Sequence, residues 1–218
     1  MTVWFASGNA HKKAELASIL ADSGCGHELA IPADAGLEFD PEETEETFHG
    51  NAILKARALR RLLLEARPPL FRDGDPIVAD DSGICVDALD GRPGVYSARY
   101  SGPPGSPVSG KPGAGERNAM LLGELGDAAN RTARFVCAMV LLFGHDTFFV
   151  AQETLEGEIV KDPGFATGTG GFGYDPIFWI PGLGRTAAEL SGVEKNAVSH
   201  RGKAGRLIAR MLERRTAD

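Results

Sequence analysis

Two adjacent carboxylates, Asp80 and Asp81, stand between the apolar run Pro76-Ile77-Val78-Ala79 and the pair Ser82-Gly83, with Ile84-Cys85-Val86 beyond. The first run reads as a strand. Carboxylates at a strand end are costly to bury without a partner. They suit a hard divalent cation such as Mg²⁺, which takes oxygen ligands and shares them with substrate phosphates. The competing reading is a solvated Asp-Asp turn, because Asp, Ser and Gly are frequent turn residues. The company these residues keep elsewhere in the chain favours chemistry.

A second stretch lies at the N-terminus. Val3-Trp4-Phe5-Ala6 is apolar, Ser7-Gly8-Asn9 breaks it, and Ala14, Leu16, Ala17, Ile19 and Leu20 then recur at helical spacing. A strand-turn-helix of this kind aims backbone N–H groups and a helix N-terminus at one point, which suits an anion. Lys12 and Lys13 fall early in that helix, where the dipole disfavours cations unless a phosphate is bound. The alternative is an ordinary turn with a solvated lysine pair. The glycine pattern of a Walker A loop is missing. A third stretch, Thr167 to Pro176, is rich in glycine around Phe172 and Tyr174. Glycine lets backbone approach a ligand closely, and an aromatic ring among glycines can stack on a base. It lacks the helix that a dinucleotide fingerprint needs, and a surface loop is its bland reading.

The elements that must position these residues follow. Pro41 to Thr47 is acidic and carries four glutamates, any of which could give a metal a ligand beyond Asp81. Asn51 to Arg67 reads as a helix with an apolar stripe of Ile53, Leu54, Ala58, Leu59, Leu62 and Leu63, ended by Pro68-Pro69. Ser101 to Gly115 reads as a long loop, and Glu116 to Leu125 as a helix. Phe135 to Phe143 has the unbroken apolarity of a buried strand, and a return strand from Thr147 toward Val160 makes an antiparallel hairpin around Gly144-His145-Asp146. Pro176 to Ile180 reads as one more strand. The C-terminal helix is amphipathic, with Leu207, Ile208, Met211 and Leu212 on one face.

Composition narrows the field. At 218 residues the chain is one domain, or one domain with two lobes. The net charge of −7 argues against a nucleic-acid polymer as partner, though not against a small polyanion met by local lysines and a metal. Cys25, Cys85 and Cys137 are odd in number and have no metal-ligand spacing, as expected in a reducing compartment. No signal-peptide pattern and no membrane-length apolar run is found, so the cytoplasm is the expected location, with no membrane partner.

Four stretches, SGNAHKKAEL, ADDSGICVDALDGRPGVYSARYSG, GTGGFGYDPIF and TAAELSGVEKNAVSHRGKA, together resemble the non-canonical purine nucleoside triphosphate pyrophosphatases, the inosine/xanthosine triphosphatase or Ham1-like family. The likeness runs from Thr2 to about Leu212. Departures are the Ser101–Gly115 loop and Gly50, where many relatives carry glutamate. The resemblance implies an α/β fold: an elongated mixed β-sheet flanked by helices, with two lobes and a central substrate cleft. It implies a homodimer that hydrolyses inosine, deoxyinosine and xanthosine triphosphates to monophosphate and pyrophosphate with Mg²⁺, for which Mn²⁺ can substitute. By the same resemblance Ser7, Gly8, Asn9, Ala10, His11 and Lys12 bind substrate, chiefly its phosphates. Asp81 is proton acceptor and metal ligand, Glu43 is a second metal ligand, and Ser82 contacts substrate. Phe172, Gly173, Tyr174, Asp175, Lys195, His200 and Arg201 complete the nucleotide site.

The residue chemistry is compatible with that assignment. Mg²⁺, Lys12 and loop amides can neutralise phosphate charge, and Asp81 can deprotonate a water. Arg201 is a pure donor, matched to the O6 acceptor of hypoxanthine or xanthine and not to the amino group of adenine. A Maf-like nucleotide pyrophosphatase and a non-catalytic nucleotide-binding protein are the rival readings. The second rival is disfavoured by an expected pairing of Lys12 with Asp81, since a pure binder needs no base.

Overall fold

A computed structural model describes residues 1–103, 112–162, 164, 168 and 170–216. Most of the expected Ser101–Gly115 loop, and Thr167 and Thr169 of the glycine-rich stretch, lie outside the described residues. The strands are β1 (Thr2–Phe5), β2 (Glu28–Ala30), β3 (Ile77–Val86), β4 (Thr132–Phe143), β5 (Thr147–Ile159), β6 (Phe178–Ile180) and β7 (Arg185–Thr186). The helices are α1 (Ala10–Asp22), α2 (Phe48–Ala66), α3 (Ala114–Leu125), α4 (Gly192–Val198) and α5 (His200–Thr216). The strands form one mixed sheet in the order β2-β1-β3-β4-β5-β6-β7. β2, β1 and β3 run parallel, whereas β5, β6 and β7 pair antiparallel. Only three residues separate β4 from its neighbour β5, too few for a crossover, so these two form the expected antiparallel hairpin.

The chain divides into two compact units. The first comprises Met1–Asp81, Cys137–Glu153 and His200–Asp218. Its sheet is buried on both faces, which is why its strands read as continuous apolar runs. Val3, Phe5, Val78, Cys137, Met139 and Leu141 pack with α1 and α5 residues on one face. Trp4, Ala6, Ile77, Ala79, Val140 and Leu142 pack with Ala52, Ala56, Leu59 and Leu63 of α2 on the other. α5 lies close against α1 at Gly205, where a Cβ would stand 2.9 Å from Ile19. Leu16, Leu59 and Leu63 are fully buried, and each such side chain stabilises the fold by about 1.5–3 kcal/mol.

The second unit comprises Ser82–Val136 and Thr154–Ser199. Its core joins Ile84 and Val86 of β3, Leu121 and Leu125 of α3, Phe135, Ile159, Phe178 and Ile180. The rings of Phe135 and Phe178 pack 4.4 Å apart. Gly157 of β5 has no room for a side chain, since a Cβ there would fall on the Trp179 carbonyl and 2.6 Å from the Phe178 ring.

Three sequence expectations are corrected. β3 does not end at Ala79 but runs through Asp80-Asp81-Ser82-Gly83 to Val86, because both carboxylates find partners and the ladder continues. The buried face of α2 is Asn51, Ala52, Lys55, Ala56, Leu59 and Leu63, while Ile53, Leu54, Ala58 and Leu62 are half-buried. Pro176 and Ile177 belong to a 3-10 turn, which shortens the expected strand to Phe178–Ile180. α2 opens on Thr47, whose hydroxyl accepts from the Gly50 N–H. A side chain at Gly50 would press on that hydroxyl at 2.8 Å and on Glu45 at 2.9 Å, so the absence of glutamate there fits the local packing.

Candidate active site

Successive side chains of a strand point to opposite faces of its sheet. Asp80 therefore shares the face of Val78 with α1 and α5, and Asp81 shares the face of Ile77 and Ala79 with α2. One dipeptide thus serves two environments.

Asp80 is gripped by cations. Lys12 Nζ lies 3.1 and 3.0 Å from its two oxygens. Arg201 donates to Asp80 Oδ2 from Nε at 3.3 Å and Nη2 at 3.0 Å, and to Glu15 from Nη1 at 2.6 Å. Asp80 and Arg201 side chains are 0% and 2% exposed. Burial alone would raise the Asp80 pKa, but Lys12 and Arg201 outweigh it and hold the carboxyl well below its usual range. Held in this way, Asp80 keeps its charge and is a poor proton acceptor.

Asp81 is held differently. Asn51 Nδ2 donates to its Oδ2 at 3.1 Å, and Lys55 Nζ to its Oδ1 at 3.2 Å. Lys55 also donates to Glu43 at 2.7 Å. Asn51 Oδ1 in turn accepts from the Glu45 N–H at 3.0 Å, which ties the acidic segment to the start of α2. Burial raises the Asp81 pKa, an effect that Lys55 opposes and Glu43 reinforces. A carboxylate with raised proton affinity is the better general base. Burial also presses the Lys55 pKa down, but Asp81, Asp80 and Glu43 more than offset this, so the ammonium is retained.

The Ser7 to Lys12 turn is more occupied than the sequence led us to expect. Asn9 caps α1, accepting from the N–H groups of His11 at 2.9 Å and Lys12 at 3.2 Å. Ser7 Oγ accepts from the Asn9 N–H at 3.1 Å. Asn is a favoured N-cap because its carbonyl satisfies these orphan donors, and it leaves fewer amides for an anion than expected. Gly8, Asn9, Ala10 and His11 are exposed. Lys13 turns to Asp34 at 2.7 Å, so carboxylates offset both lysines of the first turn.

In the second unit, Ser82 is half-buried on β3. Phe172, Gly173, Tyr174 and Asp175 form a turn pinned from within. Asp175 Oδ2 accepts from the Phe172 N–H at 2.6 Å and from Lys195 Nζ at 2.7 Å. Lys195 Nζ also stands 4.8 Å from the centre of the Phe172 ring, a cation–π contact. Gly171 and Gly173 have φ of +71° and +67°, and a Cβ at Gly171 would collide with the Asp175 carboxylate. Tyr174 is buried, and its hydroxyl donates to the Ser97 carbonyl at 2.9 Å.

The order of these residues, the buried Asp81 with its lysine, and the pinned aromatic turn can be set beside known proteins. The model of the Ham1 family matches residues 3–211. The chain belongs to that family. It is 43% identical over 213 residues to a protein of Treponema denticola named dITP/XTP pyrophosphatase, covering 98% of this chain and 99% of that one. A Streptomyces avermitilis protein of the same name is 46% identical and covers 92% of each. Among solved structures, the Staphylococcus aureus Ham1 protein superposes with a TM-score of 0.76 and a HAM1 protein from Coxiella burnetii with 0.79. Both are 35% identical and cover 98% of this chain, and 98% and 99% of their own chains respectively.

Within this Ham1-family chain, three placements differ from the sequence reading. Lys12 pairs with Asp80, not with Asp81. Arg201, read as a donor to the base, is buried and holds Asp80 and Glu15. His200 is buried at the start of α5. Sequence reasoning also passed over Asn51, Lys55 and Glu15. A signal for two of them was present: Asn51, Lys55, Leu59 and Leu63 follow one another at i, i+4, so the polar pair continues a buried stripe. Glu15 carried no such mark.

Proposed function

We propose that this chain hydrolyses non-canonical purine nucleoside triphosphates, those of inosine, deoxyinosine and xanthosine, to the monophosphate and pyrophosphate. The observation that carries this is Asp81: a buried carboxylate of raised proton affinity, beside the cationic Lys55 and a second carboxylate, Glu43. The names of the related Treponema denticola and Streptomyces avermitilis proteins, dITP/XTP pyrophosphatases, support the substrate class.

Asp81 takes the proton of a water whose oxygen attacks the α-phosphorus. The bond from that phosphorus to the bridging oxygen breaks, and pyrophosphate leaves. Lys12 and Lys55 supply positive charge to phosphate oxygens. Asp80 keeps Lys12 in place without competing for the proton. Asp81 and Glu43 reach a common cation, the Lys55 ammonium, at 3.2 and 2.7 Å. Two carboxylates with room to share a cation fit Mg²⁺, which takes one or two protein oxygens and completes its shell with water and phosphate. When bound there it would neutralise phosphate charge and polarise the phosphorus. Phe172 gives the base a face to stack on. With Arg201 committed to carboxylates, base selection is assigned to the turn around Phe172 and Tyr174. A cytoplasmic homodimer belongs to the same reading.

Asp81→Asn is the test. Removing a positioned base costs about 10²–10⁴-fold in turnover. The loss should appear in pyrophosphate release from inosine triphosphate, with nucleotide binding still measurable by calorimetry. Near-normal turnover by the folded variant would overturn the assignment.

A further inference from the structure

The turn that carries Phe172 is held from outside by a residue to which nothing above gives a role. Asn118, on α3, donates from Nδ2 to the carbonyl oxygen of Gly173 at 3.1 Å, across 55 residues of sequence. Its side chain is buried, with 9% exposure. Its Oδ1 is also buried and finds no hydrogen-bond partner among the described residues. Burying an amide at that cost needs a compensating bond, and among the described residues the bond to Gly173 is the one this side chain makes. The amide orientation follows from the same contact, since a flipped amide would set Oδ1 against the carbonyl oxygen.

α3 is itself firmly seated. Leu121 and Leu125 are buried in the core of the second unit, and Glu124 takes a hydrogen bond from Tyr100 and an ion pair from Arg92 at 2.6 Å. A fixed helix therefore presents Asn118 to the peptide just after Phe172. On the next residue a second bond acts in the same sense, Tyr174 to the Ser97 carbonyl. Ser97 is buried, its Oγ accepts from the Ile84 N–H at 2.8 Å and donates to the Gly94 carbonyl at 2.6 Å, so that anchor is also rigid. The turn needs such holding. Gly173 sits at φ +67°, and glycine has the broadest backbone freedom of any residue. Asp175 and Lys195 restrain the Phe172 end from within.

We propose that Asn118 is a positioning residue for base recognition: it fixes the Gly173 peptide, and through it the Phe172 ring, without touching substrate. This rests on the reading above that Phe172 takes the base.

Asn118→Asp keeps the shape and replaces the donor by a carboxylate facing a carbonyl oxygen. Steady-state kinetics on inosine triphosphate should show KM raised about tenfold with kcat within about twofold, a split that marks lost binding common to ground and transition states. The preference for inosine over adenosine triphosphate should shrink by a similar factor. A purely structural residue would lower the melting temperature and the active fraction and leave KM and the preference untouched, and that result would overturn the proposal. Should Asn118→Asp fail to fold, Tyr174→Phe serves. It keeps the buried ring, removes the hydroxyl's bonds to the Ser97 carbonyl and Arg117, and should raise KM about threefold; an unchanged KM would show that holding this turn does not matter to base binding and would overturn the proposal. Phe172→Ala is run beside them. If it leaves KM unchanged, the base-stacking reading fails and the proposal with it. If it raises KM while Asn118→Asp does not, stacking stands and the positioning role fails alone.

Discussion

Replacing Arg201 by Met tests the central electrostatic contact of the first unit. The guanidinium is 2% exposed and engages two carboxylates, one of them 0% exposed. Met fills much of the same volume, so the loss reports charge and hydrogen bonding more than a cavity. Asp80 then keeps Lys12, and Glu15 loses its Arg201 partner. Removing one partner of a buried ion pair costs about 3–5 kcal/mol, because the other charge stays buried. With a urea m-value of about 2 kcal/mol/M, the unfolding midpoint should fall by about 1.5–2.5 M. Arg201→Lys keeps the charge but not the fork that reaches both carboxylates, and should lose less. Combining Arg201→Met with Asp80→Asn should recover part of the loss, since the buried charge is then gone. Urea titration followed by far-ultraviolet circular dichroism, with equal m-values across the set, measures this. A midpoint within about 0.3 M of the parent would refute the argument. So would an unchanged midpoint joined to a collapse of the inosine-to-adenosine preference, which would make the guanidinium a base reader after all.

Other outcomes follow from the same structure. Gly157→Ala puts a methyl into the Trp179 carbonyl and the Phe178 ring, and should destabilise by about 1–3 kcal/mol or more in the same titration. Excess chelator should abolish pyrophosphate release, and added Mg²⁺ or Mn²⁺ should restore it; full activity in chelator would remove Asp81 and Glu43 from a metal role. Glu194 caps α4 and pairs with Arg185 at 2.8 Å. The Arg185 and Ser191 hydrogen bonds bring its pKa from 4.5 down to about 2. Its contribution is therefore full above pH 4.5 and lost as pH falls toward 2. The melting-temperature gap between the parent and Glu194→Gln should be largest above that range and close below it. The group is exposed, so salt should narrow the gap, and a gap independent of pH would count against the ion pair.

Much of this architecture is legible because local signals agree with it. The apolar runs at Val3 to Ala6 and Phe135 to Phe143 became strands buried on both faces, and the three residues between β4 and β5 forced a hairpin. What was hidden depends on tertiary partners. Turn propensity at Asp80 to Gly83 is a property of isolated residues, and it yields once Lys12, Arg201, Asn51 and Lys55 satisfy the two carboxylates. The bond from Arg201 to Asp80 spans 121 residues, and no local pattern announces it. Read alone, Arg201 is a spare donor, and chemistry invites pairing it with a base.

On the proposal that Asp81 is the base, the alternation of a strand explains why the chain carries two aspartates there. A single carboxylate cannot both anchor Lys12 as a permanent anion and give up that charge to accept a proton. Placed at successive positions of β3, the two tasks fall on opposite faces of one sheet. On the face of α1 and α5, Lys12 and Arg201 lower the proton affinity of Asp80. On the face of α2, burial and Glu43 raise that of Asp81 against the pull of Lys55. Environments that push two neighbouring titratable groups apart assign the acid–base roles. Here the division requires the strand to continue through the pair, which is why a turn at Asp80-Asp81 would have destroyed the site that the pair's residue types suggest.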